Sequence, residues 1–209
     1  QPWLLENSSR NLNDAFEYNL FRTENPLIIS SISPNGTIVA GDEPITVTLN
    51  VVTIGGVSNG NSICDYSLNG NSFIEFFETN NNNHRQILSQ MTAGDYNLNV
   101  RCEDSIGNLA TSQGNFKLEL DTTPPMINRV FNSGGTLLVQ TNELSTCYYR
   151  NDSTSQCNYL LSDGIEMSGS ETITHNTPWE EDETYYIKCQ DVWGNQPSEC
   201  NIVVKPYTL

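Results

Sequence analysis

The sequence predicts an all-β chain made of two copies of one sandwich module, and three observations carry that expectation. The stretch Leu98 to Asn108 reads Leu, Asn, Val, Arg, Cys, Glu, Asp, Ser, Ile, Gly, Asn. It returns at Tyr185 to Asn195 as Tyr, Tyr, Ile, Lys, Cys, Gln, Asp, Val, Trp, Gly, Asn, with Cys, Asp, Gly and Asn in the same places. Each copy opens with strand alternation (Leu98, Val100, Cys102; Tyr185, Ile187, Cys189) and closes on Gly-Asn, which suits a tight turn at positive φ. Further upstream, Cys64 with Tyr66 precedes the first copy and Cys147 with Tyr149 the second, at nearly equal intervals. A chain of 209 residues is too long for one sandwich of about 100 residues and right for two with an additional arm.

Strands ending in Cys-x-Asp-x-x-Gly-Asn, followed by another strand and then Asp121, Thr122, Thr123, Pro124 and Pro125, resemble the tandem immunoglobulin-like repeats of bacterial and archaeal cell-surface proteins. The resemblance implies two tandem immunoglobulin-like β-sandwiches with an extended N-terminal arm. The arm covers residues 1–26, the first module 27–121 and the second 122–209. It implies neighbouring strands of one sheet for Cys64 and Cys102, hence a Cys64–Cys102 bridge. The repeat carries this to Cys147–Cys189 and leaves Cys157 and Cys200 for each other, with a bond from Cys157 to another chain as the open alternative. No Trp lies near Cys64, so the antibody pattern of a disulfide across the core is not expected. The architecture says little about function, because the same sandwich hosts adhesins, stalks, filament subunits and accessory modules of secreted enzymes.

Composition narrows the setting. Six cysteines without a Cys-x-x-Cys spacing, beside only two histidines, favour disulfides over zinc and place the protein outside the cytosol. Sequons at Asn7, Asn35 and Asn151 agree with an extracellular or cell-surface location and are candidate glycosylation sites, although so Asn-rich a chain produces some by chance. The net charge of −16 is spread along the chain, leaving no basic face for nucleic acid or an anionic membrane. No apolar run is long enough to cross a bilayer, and Gln1 reads as a mature N-terminus.

Along the chain, the arm fits neither repeat. It carries the apolar cluster Trp3, Leu4, Leu5 and a strand-like alternation of Phe16, Tyr18 and Leu20 with Glu17 and Asn19. Such a segment packs as an edge strand on its own module or adds to a neighbouring molecule. In the first module Ile45, Val47, Leu49 and Val51 form a strand with one core face. Cys64, Tyr66 and Leu68 begin the next, and Ile74, Phe76 and Phe77 offer further β-prone residues before the loop Asn80 to Asn83. Gln86 to Met91, Asp95 to Cys102, and Phe116, Leu118 and Leu120 complete it. Asp121 to Pro125 is a short, stiff junction. The second module repeats the plan with Leu137, Val139, Cys147, Tyr149, Ile173, Tyr185, Ile187, Ile202 and Val204 as its apolar positions.

No residue pattern marks catalysis. His84 and His175 fall one per module, and there is no His-Glu-x-x-His helix, nucleophile elbow or phosphate loop, so no enzyme activity, metal or cofactor is expected. Asp121 with Glu103 and Asp104 is where calcium would bind between modules, against the plainer reading of solvated turn residues. The run Glu180 to Glu183 reads as a solvated loop. The expected function is a structural subunit of an extracellular filament or pilus, assembled with copies of itself through the arm residues Trp3, Leu4, Leu5, Phe16, Tyr18 and Leu20. The alternative is an adhesin or carbohydrate-binding surface module whose partners are glycans or host-cell surfaces, with Trp179 and Trp193 as candidate contacts.

Overall fold

The structure, a computed structural model, describes residues 25–152 and 156–206. It divides between Leu120 and Asp121 into two compact units, each an immunoglobulin-like sandwich. Among the described residues no helix is long and apolar enough to cross a membrane.

The first module contains β1 (Ile28–Ser33), β2 (Gly36–Ala40), β3 (Ile45–Ile54), β4 (Ile63–Leu68), β5 (Ile74–Glu75), β6 (Asn83–Met91), β7 (Gly94–Glu103) and β8 (Leu109–Leu120). One sheet has the order β1-β3-β6 and the other β2-β8-β7-β4-β5. The strict alternation of β3 turns Ile45, Val47, Leu49 and Val51 inward. They meet Leu98 and Val100 of β7 and Phe116 and Leu118 of β8 in one core. Each such side chain contributes about 1.5–3 kcal/mol when fully buried. The chain passes from one sheet to the other between β3 and β4, where Gly60 sits at φ 94° and any Cβ would strike the Thr53 carbonyl. Of the three β-prone residues at the start of the next segment only Phe76 is core. Ile74 lies on the short edge strand β5, and Phe77 is 86% exposed.

The second module contains β9 (Ile127–Asn132), β10 (Thr136–Arg150), a 3-10 turn at Leu161–Asp163, β11 (Ile165–Glu166), β12 (Thr172–Pro178), β13 (Tyr185–Asp191) and β14 (Ile202–Val204). Here one strand serves both sheets. Thr136 to Thr141 of β10 pairs with β9 and β12, and Ser145 to Arg150 pairs with β11 and β13. The core is Leu137, Val139, Cys147, Met167, Tyr185, Ile187 and Cys189. Ile173, expected in it, is exposed instead: β10 changes sheets between Gln140 and Ser145, where Ile173 would need cover, and β12 buries His175 and Thr177.

All six cysteines are paired. Cys64–Cys102 joins directly opposed residues of β4 and β7, and Cys147–Cys189 directly opposed residues of β10 and β13, each with Cα atoms 4.0 Å apart. Both therefore lie within one sheet rather than across the core. Cys157–Cys200 ties the segment after β10 to the residue pair preceding β14. In the chain-entropy account, closing a loop of 38 residues contributes about 4 kcal/mol. Replacing Cys64 and Cys102 together by Ser is expected to lower the first module's unfolding free energy by that order, read from urea unfolding. A change below about 1 kcal/mol would mean that the reduced chain is already as restricted as the bridged one.

Candidate interaction surfaces

The repeated Cys-x-Asp-x-x-Gly-Asn segment is the end of a strand and the turn that follows it. In the first copy the Asp104 carboxylate accepts hydrogen bonds from the backbone N–H of Ile106 and Asn108 and from the Asn108 side chain, at 3.1, 2.9 and 2.8 Å. In the second, Asp191 accepts from Trp193, Asn195 and the Asn195 side chain, all at 2.8 Å. Gly107 and Gly194 take the positive φ, 83° and 92°, that the turn needs. Burial alone would raise the Asp104 carboxyl. The hydrogen bonds from Asn108, Val57 and Ile106 outweigh it and hold the group below the usual carboxylate range. Asp104 is thus consumed by its own turn and is not a free cation ligand.

A second repeated feature is buried. In the first module, His84 of β6 has Nε2 2.9 Å from the Thr53 hydroxyl and 3.4 Å from that of Ser62, and Nδ1 2.9 Å from the Thr79 hydroxyl. The ring nitrogen lies within 4.8 Å of both sulfurs of Cys64–Cys102. In the second module His175 Nε2 stands 3.1 Å from the Ser145 hydroxyl and 3.5 Å from that of Thr141. Its Nδ1 makes no hydrogen bond of good geometry. Burial pushes His84 down to about 4 and lowers His175, the latter partly opposed by the Gly169 backbone. Reasoning from the sequence placed one histidine per module without joining it to anything. The available signal was Ser two residues before the first cysteine in each copy, Ser62 and Ser145.

Of the other residues singled out in the sequence, Asp121 meets Glu143 and Asp191, with carboxylate oxygens within 4.8 Å of one another. Burial, then the charges of Asp121 and Asp191, push the Glu143 carboxyl up. Two of the three carboxylates already serve turns, Asp121 accepting from the backbone N–H and hydroxyl of Thr123. Glu103 and Asp104 are not part of this group. Trp179 packs against the second module's core beside Gly135, whereas Trp193, nearly half exposed, sits in the turn at the far end of β13. The two do not form one aromatic surface. Asn35 and Asn151 are exposed. Asn7 and the arm residues Trp3, Leu4, Leu5, Phe16, Tyr18 and Leu20 lie outside the described residues.

The two modules finish their corresponding sheets differently. In the first, β2 runs parallel to β8 from Gly36 opposite Phe116 to Ala40 opposite Leu120, and Phe116 and Leu118 are 3% and 1% exposed. In the second, β14 pairs with β13 and is the last strand of its sheet among the described residues. Ile202 and Val204 remain only half-buried there and Val203 is exposed. The outer face of the sheet shows the opposite arrangement. In the second module it is covered by Tyr159, whose hydroxyl donates to the carbonyls of Tyr148 and Tyr186 at 3.1 and 2.7 Å. Burial pushes that phenol up to about 12, which keeps it a donor. The Lys188 ammonium reaches the Tyr159 and Ser198 carbonyls, and Cys157–Cys200 staples the segment down. In the first module no described residue outside the sheet covers the same face in this way, and it holds a groove of about 510 Å³ beside Phe73.

No protein-family model and no curated protein sequence matches this chain. Among solved structures it is similar to the FN1-FN3 domains of chicken CNTN1, at 12% identity over 86% of this chain and 66% of that one, TM-score 0.46. It is also similar to the fibronectin(III)-like modules of Clostridium thermocellum CbhA, at 12% identity, 87% and 93% coverage and TM-score 0.38. A third is the Ig1-2 module of the Drosophila receptor protein tyrosine phosphatase DLAR, at 16% identity, 87% and 98% coverage and TM-score 0.36. The chain's own strand order defines it as a pair of immunoglobulin-like modules.

Because His84 is held neutral, the unfolded chain binds the additional proton between about pH 6.5 and pH 4. The stability this group contributes is complete above about pH 6.5 and is lost as the pH falls toward 4, by about 3 kcal/mol. Urea unfolding of the first module at about pH 7 and about pH 4.5 is expected to show that loss, reduced in His84→Gln. An equal loss in the variant would assign the effect to the carboxyl groups.

Proposed function

We propose that this chain is a non-catalytic structural subunit of an extracellular surface filament, assembled head to tail when the N-terminal arm of one copy adds a strand to the next. The observation that carries the reading is the β14 edge, unpaired among the described residues, which in the first module's sheet is closed by β2. An unpaired edge with half-buried apolar residues is a template for a further strand. The arm supplies Phe16, Tyr18 and Leu20 in alternation, the pattern an added strand needs to cover Ile202 and Val204 while Glu17 and Asn19 face water. A contact between different surfaces of identical chains propagates instead of closing. Three disulfides suit an oxidising, extracellular setting, and glycans on the exposed Asn35 and Asn151 would add solubility.

The Ile187 carbonyl faces β14, where it accepts from the Asn201 N–H, and Ile187 is registered with Ile202 and Tyr185 with Val204, so the backbone groups of Ile202 and Val204 face β13 and those of Val203 face the open side. Val203→Pro removes the open-side donor without breaking the pairing to β13. Negative-stain electron microscopy is expected to show fibres for the full chain and isolated particles both for the chain lacking residues 1–24 and for Val203→Pro. The deletion stops short of Asn25 because that side chain donates to the Gly56 carbonyl. Fibres of undiminished length without the arm would sink the proposal. Fibres lost with the arm but kept in Val203→Pro would move the acceptor to another edge.

A further inference from the structure

We propose that the first module also binds a neutral oligosaccharide, in the groove on the outer face of its five-stranded sheet. The groove lies over directly opposed outward-facing residues of three strands: Ser67 of β4, Asn99 of β7 and Gln113 of β8. Thr111 and Asn71 extend this polar floor, and Phe73 stands at its side. Outward residues on one strand repeat every second position, so amide and hydroxyl groups are presented in a flat array at the spacing of a β-ladder.

Three features distinguish this face from an ordinary hydrated one. The first is the aromatic wall. Phe73 is 40% exposed, and the Arg101 guanidinium lies 4.3 Å from its ring centre. Arg101 is itself held by the Asp65 carboxylate at 2.8–2.9 Å, so the ring is fixed from one side and open on the other. A fixed aromatic plane is a surface for the C–H face of a sugar ring, and it loses little conformational entropy on binding. Second, the Asn71, Asn99, Thr111 and Gln113 side chains form no hydrogen bond within the described residues, so their donors and acceptors are available.

The second module supplies the third feature. Lys188 occupies the place of Arg101 in the repeat, one residue before the second cysteine, and its ammonium lies 5.2 Å from the ring centre of Tyr159. There the face is sealed by the chain itself, with Tyr159 only 5% exposed and held by the Cys157–Cys200 staple. The same cation-on-aromatic pair therefore appears twice, once as the floor of a closed interior and once as the wall of an open groove.

Charge and geometry select the ligand class. Among the described residues the cation on the groove wall, Arg101, is neutralised by Asp65, and a net charge of −16 disfavours anionic glycans and nucleic acid. A peptide strand would seek a sheet edge for its backbone groups, which a sheet face does not offer. Uncharged polyhydroxylated chains match amides, hydroxyls and one aromatic plane. This site is independent of polymerisation, since the proposed acceptor edge belongs to the other module.

The test is an NMR titration of the isotope-labelled chain lacking residues 1–24 with a panel of neutral hexasaccharides: cellohexaose, maltohexaose, mannohexaose, xylohexaose and chitohexaose. At least one is expected to shift the side-chain amides of Asn71, Asn99 and Gln113 while those of the second module stay in place. Phe73→Ala is expected to weaken that binding about tenfold, and Gln113→Ala severalfold, both on an exposed surface that leaves folding intact. No shift at millimolar sugar from any of the five would overturn the proposal. Shifts that persist unchanged in Phe73→Ala combined with Asn99→Ala would overturn it equally.

Discussion

Each module depends on one covalent cross-link between two strands that are not consecutive in the chain. Bringing β4 to β7, or the second half of β10 to β13, closes a long loop, and without a bond that closure costs entropy before any core contact repays it. The bridge joins residues directly opposed in the ladder, with Cα atoms 4.0 Å apart, nearer to the non-hydrogen-bonded than to the hydrogen-bonded antiparallel spacing, so it fixes register as well as proximity. A slip of one residue would turn Leu98, Val100 and Cys102 to solvent. The aspartate two residues after the second cysteine then reverses the chain at a fixed point, through three hydrogen bonds made in the same way in both copies.

Since this link stays within one sheet, it does not join the two layers. Apolar packing does most of that work, but one polar contact is shared by both modules. A histidine from the opposite layer reaches the serine that precedes the first cysteine, with a threonine alongside. A neutral imidazole can accept at one nitrogen and donate at the other. It therefore satisfies hydroxyl groups that would otherwise be buried without partners. The arrangement stays neutral because it is buried, His84 at 1% and His175 at 0% exposure, with the Phe76 ring against His84.

Much of the fold was legible because it is repeated. Cys, Asp, Gly and Asn recur at fixed spacing, and β3 and β7 alternate cleanly, so a local reading found the strands that carry the core. Other features depend on partners far away in sequence. The short strand β2 is defined by its parallel partner β8, about 80 residues on, and its own residues alternate weakly. Ile173 has the composition of a core residue yet lies where its partner strand changes sheets. The groove combines residues of three strands whose outward positions look like ordinary polar surface until registered against one another. The histidine cluster was half visible, in the two Ser-x-Cys segments.

The two modules also solve the same problem in opposite ways. A sandwich sheet leaves an edge strand and an outer face to be covered or left to water, and a chain of limited length cannot cover both. The first module spends residues 36–40 on β2, closing the edge and, among the described residues, leaving the face uncovered. The second has no such strand among its described residues and places its long insertion over the face, stapled by Cys157–Cys200. Each module therefore exposes what the other hides. With a charge of −16 on every copy, long-range electrostatics oppose contact between copies. Any association must then come from short-range terms, backbone hydrogen bonds and apolar burial, which an open edge can offer and a charged surface cannot. Screening by salt removes only the repulsion and leaves those short-range terms in place.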